Sequence, residues 1–99
     1  MSAWDHLAEL RIREWLARPA AERVTTSPPL DPALPLEVQL MADIGQLDRM
    51  AASAGDADEA TQLRGKADAL MIRLLVLLET QGRPLAARHF AEQRRSFGG

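Results

Sequence analysis

The sequence of 99 residues contains no cysteine and no tyrosine, and its aromatic residues are two tryptophans and two phenylalanines. The absence of cysteine excludes a disulfide framework and any metal site built from thiolates. The shortage of aromatic and β-branched side chains leaves aliphatic residues and Ala to build a core, which favours helices over a β-sandwich. With 46% hydrophobic and 26% charged residues, the composition predicts that residues 1–99 form a single all-α domain.

Long hydrophobic runs are missing as well. No apolar run approaches the roughly 20 residues that span a bilayer. The first residues also lack the charged segment followed by an apolar one that marks a secretory signal. We therefore expect a cytoplasmic protein that has no membrane partner.

The net charge of -2 is unevenly distributed along the chain. Residues 36–82 carry eight acidic and four basic side chains, whereas residues 83–99 carry four arginines and one glutamate. A basic tail on an acidic body can dock within the molecule, meet an acidic partner or remain solvated, and solvation is the commonest outcome. Because the chain as a whole is acidic, nucleic acid is not the expected partner.

Apolar residues recur at helical spacing in four segments, so the expected fold is a small bundle of three long helices plus a short C-terminal helix. The first helix is expected to have Ser2 as its N-cap and to place Leu7 on its apolar stripe. In the last helix, Leu85, Ala86, Phe90 and Phe97 are expected to face inward. The predicted helices span residues 3–18, 35–53, 57–81 and 84–96.

The connection over residues 19–34 is rich in proline, and we expect it to form an extended but ordered crossover after the first helix. Proline fixes φ, removes a hydrogen-bond donor and disfavours helical backbone at the preceding residue. Pro19 either closes the first helix or restarts a short turn through Glu22. Asp56 or Asp58 is expected to cap the helix over 57–81, and Gly82 is expected to end it.

Eight of the nine residues from Leu70 to Leu78 are apolar, with Arg73 as the exception. An amphipathic surface helix buries one stripe and exposes the other, so this helix either lies at the centre of the bundle or pairs with another chain. The two interpretations are compatible, because the bundle can cover one side and a partner the other. The face around Ile72, Leu75 and Val76 is the hardest for the chain itself to cover. The predicted partner-binding residues are Ile72, Leu74, Leu75, Val76, Leu77 and Leu78.

No catalytic motif stands out. His6 and Glu9, and likewise His89 and Glu92, share a helix face at i,i+3, but carboxylate metal sites in bundles need further inward-facing acids. There is no nucleophile elbow and no glycine-rich phosphate loop. We therefore expect no enzyme activity, no cofactor, no metal and no small-molecule substrate. Five further acids are expected mainly on solvent-facing surfaces, namely Glu37, Asp43, Asp48, Asp68 and Glu79.

The run Leu7–Glu14 (LAELRIRE), followed by Pro29-Leu30-Asp31, Pro35-Leu36-Glu37 and Leu40-Met41-Ala42, resembles the conserved domain of unknown function of small bacterial DnaJ-related proteins. The resemblance covers residues 7–44 in motif and the remainder in outline. The family's Phe-Asp-Asn-Leu-Pro-Gly loop is missing, and so is a His-Pro-Asp tripeptide. The resemblance therefore implies a helical fold and a cytoplasmic accessory role, and it does not imply stimulation of a heat-shock chaperone.

These observations predict a non-enzymatic protein–protein interaction module, an adaptor or a chaperone-like accessory protein that uses an apolar helical face. The alternative is a structural homodimer, or a subunit of a larger assembly, with no client. The expected partner is accordingly another protein or a second copy of the chain.

Overall fold

The structure is a computed structural model that describes residues 3–98, and within that range it is all-helical with no strand. The predicted all-α class is confirmed. The predicted N-cap Ser2 lies outside the described residues. The five helices are α1 (Ala3–Leu16), α2 (Ala20–Thr25), α3 (Leu36–Ser53), α4 (Ala57–Thr80) and α5 (Pro84–Gly98).

Helix α2 lies inside the segment that the sequence predicted to be an extended crossover. Pro19 lacks an N–H with which to continue α1, so α1 ends at Leu16, and the N–H of Arg18 turns back to the carbonyl of Trp15 at 3.1 Å. A new helix then starts at Ala20. Its first hydrogen bond runs from the N–H of Glu22 to the carbonyl of Pro19 at 3.0 Å. The chain from Thr26 to Pro35 contains no helix.

The core forms where α3 packs against α4, with α1 packed on α3 and α5 packed on α4. Leu and Ile side chains at helical spacing supply most of it, and each contributes roughly 1.5–3 kcal/mol relative to exposure. The largest fully buried apolar side chains are Trp15, Ile12, Leu40, Leu47, Leu63 and Leu74.

Two hydrogen bonds donated by side chains show the direction of α1 relative to α3. Gln46 Nε2 donates to the carbonyl of Asp5 at 3.0 Å, and Arg11 Nη2 donates to Asp43 Oδ1 at 2.7 Å. Residue numbers thus increase along α1 as they decrease along α3, and the two helices are antiparallel.

The ends of α4 follow from local chemistry. Asp56 is the N-cap, and its side chain accepts a hydrogen bond from the N–H of Asp58 at 3.1 Å. At the other end, Gly82 has φ +75, and the N–H of Arg83 reaches back to the carbonyl of Leu78 at 2.8 Å. This Schellman motif ends the helix. Pro84 then begins α5, which is antiparallel to α4.

The inner face of α5 differs from the prediction. Leu85 is 76% exposed, whereas Ala87 is buried and Phe90 is half-buried against the core. Ala87, Phe90 and Arg94 follow each other at helical spacing on the side facing α3 and α4. Leu85 lies almost opposite Ala87 on the helix, which explains its exposure. The side chain of Phe97 lies outside the described residues.

Candidate functional site

The predicted partner-binding stretch on α4 is divided between the core and the surface. Leu74 and Leu78 are buried, at 0% and 3% exposed. Ile72 and Val76 remain 64% and 58% exposed. The other two predicted residues, Leu75 and Leu77, are half-buried and pack against the core. Of the six residues, Ile72 and Val76 are therefore the two that the described chain leaves mostly exposed.

Ile72 and Val76 belong to a longer exposed stripe that sequence reasoning missed. Gly65, Ala69, Ile72 and Val76 are separated by four, three and four residues, which is the spacing of a helix-packing seam, and all four are exposed. A Cβ atom added at Gly65 would meet no heavy atom within 4 Å. We call these four residues the outer seam. The spacing of these four residues is visible in the sequence. It is less apolar than the inner repeat, from which the buried face was predicted: Leu63, Ala67, Leu70, Leu74 and Leu77.

A second apolar feature is a groove of about 440 Å³ between α3 and α5. A volume of this size accommodates small apolar groups. Ile44 and Phe90 are its largest core-packed side chains, and Met41 is partly exposed beside them. The groove is lined by Met41, Ile44, Gly45, Asp48, Arg49, Ala52, Phe90, Gln93 and Arg94.

Arg94, which lines this groove, joins three helices. Its Nε and Nη2 donate to the two carboxylate oxygens of Asp48 on α3, each at 3.0 Å, and its Nη1 donates to Asp68 on α4 at 2.8 Å. The hydrogen bonds to Asp48 are the main cause that raises the pKa of Arg94 above its ordinary value. Arg94 therefore stays charged and holds α5 against both neighbours.

Arg83, a second arginine of the basic tail, also pairs with a carboxylate on α3. Arg83 Nη1 donates to both oxygens of Glu37 at 2.8 and 2.9 Å. Since residues 83 and 94 bind residues 37 and 48, α5 runs parallel to α3. Two of the four tail arginines thus dock within the molecule, whereas Arg88 and Arg95 are exposed.

Asp43 is buried, and its expected place on a solvent-facing surface is wrong. Its side chain is 0% exposed and pairs with Arg11, which is 12% exposed. Burial is the larger effect and raises the pKa of Asp43, while the hydrogen bond from Arg11 opposes that rise. One oxygen of Asp43 and the Nε of Arg11 have no hydrogen-bond partner. This position faces α1, so packing between helices overrides the polar character of the residue.

Gln39, also fully buried, holds the proline-rich segment. Its Oε1 accepts from the N–H of Asp31 at 2.8 Å, and its Nε2 donates to the carbonyls of Asp31 at 2.7 Å and Leu34 at 3.0 Å. At the other end of the segment, Trp15 Nε1 donates to Thr26 Oγ1 at 3.2 Å. These contacts hold the segment against the helices, which is a structural role. We call residues 26–35 the strap.

Conventional chemical sites are not evident in residues 3–98. His6 and His89 are both exposed. The described chain holds no group of three or more His, Asp or Glu side chains placed to bind a metal ion. No helix in this part of the chain has the length and apolar character needed to cross a membrane.

Comparisons of the chain with protein-family models, with curated proteins and with solved structures find no match. The resemblance of residues 7–44 to the domain of DnaJ-related proteins therefore stays a hypothesis.

Proposed function

We propose that the protein is a non-enzymatic interaction module, an adaptor or chaperone-like accessory protein of the cytoplasm, which binds a partner protein on the outer face of α4. The observation that carries the proposal is the exposure of Ile72 and Val76 in the middle of the longest helix. Large apolar side chains that are accessible together on a rigid helix are a common feature of contact surfaces.

The scaffold behind this face supports the proposal. The face opposite Ile72 and Val76 is anchored by Leu70, Leu74 and Leu78, all at most 4% exposed. A rigid helix presents its outer side chains without a large ordering cost on binding. In this proposal the helices α1, α3, α4 and α5 form the bundle, and the strap over residues 26–35 is held against it.

The proposal is tested by affinity capture from the native host, with the full chain as bait. We expect a double variant, Ile72→Glu with Val76→Glu, to lose the specific partner. A Leu74→Asp variant is unsuitable, because Leu74 is wholly buried and a carboxylate there would unfold the chain. The control is Val24→Glu on α2, which places a carboxylate on another exposed apolar residue.

Thermal unfolding followed by circular dichroism establishes that the variants are folded. Loss of a captured protein with the double variant, and its retention with Val24→Glu, supports the outer face as the binding surface. Capture of the same proteins by wild type and by the folded double variant contradicts the proposal.

A further inference from the structure

We propose that α2 is a lid that opens while the rest of the bundle stays folded, with Lys66 and Thr26 as the latch that holds it closed beside the indole of Trp15. This device involves another part of the molecule than the outer face of α4, and it does not rest on the proposed function. Helix α2 has six residues, and none of them is buried. A helix this short has little stability of its own in water, so its contacts with the bundle decide whether it stays in place.

Two hydrogen bonds within the described chain join the C-terminal end of α2 to the bundle. Lys66 Nζ on α4 donates to the carbonyl of Val24 at 3.2 Å, and Trp15 Nε1 on α1 donates to Thr26 Oγ1 at 3.2 Å. The Lys66 ammonium also lies 6.0 Å from the centroid of the Trp15 ring, which is the outer limit of a cation–π contact. Lys66 therefore contacts both α2 and the indole next to it.

The N-terminal part of the lid fits the bundle loosely. A cleft of about 400 Å³ lies between α2, the end of α1 and the first turns of α4. Arg23 on α2 and Gln62 on α4 both line it, and Arg23 Nε and Gln62 Oε1 are buried without a hydrogen-bond partner among the described residues. A buried polar atom without a partner disfavours the state that buries it. Because opening gives both atoms access to water, this side of α2 favours the open lid.

The charges across the cleft do not hold the lid closed. Asp56, Asp58 and Glu59 line the cleft together with Arg23, but the ion pairs of residues 3–98 do not include Arg23. Attraction between solvated charges that form no ion pair is screened by salt. Closure therefore depends on the latch at the C-terminal end of the helix.

The chain on both sides of α2 is anchored. Leu16, the last residue of α1, packs against the core, and Pro28 is buried. Pro19, which precedes α2, lacks the N–H that would continue α1. Residues 17–27 thus form one segment between two fixed points. Local opening of such a segment requires less free energy than unfolding of the bundle.

Opening changes which side chains the surface presents. Trp15 is 0% exposed and belongs to the core cluster. When the lid opens, the N–H edge of its indole loses Thr26 and meets solvent. Tryptophan is enriched among the residues that anchor protein contacts. The lid therefore controls whether Trp15 is available at the surface.

Quenching of Trp15 fluorescence measures the opening. A Trp4→Phe background leaves Trp15 as the one tryptophan, since the sequence has two. In this background, Lys66→Met keeps the length of the side chain and removes the ammonium. We expect it to raise the acrylamide quenching constant of Trp15 several-fold. Amide hydrogen exchange in residues 20–27 should become several-fold faster, with exchange in α3 and α4 unchanged.

Arg64→Met is the matched control, because Arg64 is exposed on the same helix and the change removes the same charge. It should leave both measurements at the values of the Trp4→Phe background. Thr26→Val removes the other half of the latch and should also increase quenching and exchange. Lys66→Arg, which retains a cation and a donor, should stay closer to the background than Lys66→Met.

Three results overturn the lid. Wild-type α2 that exchanges as slowly as α3 and α4 opens only when the whole bundle unfolds. A folded Lys66→Met variant with the quenching and exchange of the background excludes Lys66 as the latch. Exchange that rises equally in α2, α3 and α4 shows that Lys66 stabilises the bundle as a whole.

Discussion

Arg94 and Asp48 form a bidentate ion pair across the groove between α5 and α3, with both hydrogen bonds at 3.0 Å. The side chain of Arg94 is 24% exposed, and its guanidinium also binds Asp68. Charge-assisted bidentate pairs are stronger than isolated surface pairs. Together with the pair between Arg83 and Glu37, this arginine ties the C-terminal helix to α3.

We predict that Arg94→Ala lowers the free energy of unfolding by about 1–2 kcal/mol. It should also increase hydrogen exchange in α5 more than in α3. Urea unfolding and hydrogen exchange measure the two effects. Arg95→Ala is the matched control, since Arg95 is exposed and makes no ion pair among the described residues. A loss of stability equal to that of Arg95→Ala would contradict the assigned role.

Gln39 makes three hydrogen bonds to the backbone of the strap from a fully buried position. We predict that Gln39→Met, which keeps the length of the side chain, costs about 1–3 kcal/mol, because one part-buried N–H and two carbonyls lose their partner. Limited proteolysis should then cut within residues 26–35. Gln81→Met, at an exposed helix end, should change neither measurement. An uncut strap in a folded Gln39→Met variant would show that other contacts hold it.

The sequence and the structure agree where local chemistry determines the outcome. The sequence predicted Asp56 or Asp58 as the N-cap of α4 and Gly82 just past its end, and the structure has Asp56 as the N-cap and Gly82 at the end. The buried leucines of α4 likewise follow a strong helical repeat. All-α character follows from composition and periodicity before any contact is known.

The disagreements occur where tertiary packing decides. Asp43 has a polar side chain, yet it is buried, because α1 brings Arg11 to that side of α3. Leu85 is apolar, yet it is exposed, because the turn at Gly82 sets the register of α5. The exposure of the outer seam could not be predicted for another reason. The spacing predicts that its four residues share a face, but it does not tell whether the chain covers that face.

Asp43 should make stability depend on pH in a direction opposite to that of most ion-paired carboxylates. Burial raises its pKa above the ordinary value of 3.8, so the folded state binds the proton more tightly than the unfolded state. The contribution of this group to stability is therefore largest below the unfolded pKa and decreases as the pH rises through the folded pKa.

Asp43→Asn removes this titration. We predict that the unfolding free energy of the wild type minus that of the variant falls as the pH is raised from about 4, the unfolded pKa of aspartate. Urea unfolding at a series of pH values measures the difference, in which the titration of the other carboxylates largely cancels. A difference that increases with pH would mean that Arg11 outweighs burial.

Two glycines should respond to alanine in opposite directions. Gly65 lies inside α4 with open space around it, so Gly65→Ala should raise the stability of the monomer by up to about 1 kcal/mol. Gly82 has a φ of +75, so Gly82→Ala should lower it by about 1 kcal/mol. Thermal unfolding of both variants at low protein concentration compares the two. A destabilising Gly65→Ala would reveal a requirement for glycine within the monomer.

Leu74 and Ile72 lie two residues apart on opposite sides of α4 and provide the sharpest comparison of the inner and outer faces. Leu74 is 0% exposed, so we expect Leu74→Ala to cost about 3 kcal/mol through lost burial and the cavity it leaves. Ile72→Ala should change the monomer's stability by no more than about 0.5 kcal/mol, because it removes an exposed side chain and improves helix propensity. Chemical unfolding of both variants at low concentration gives the values. A large loss from Ile72→Ala that grows with protein concentration would locate its missing contacts in another molecule, whereas a large loss independent of concentration would place Ile72 in the core and remove the exposed face from which the proposed function is argued.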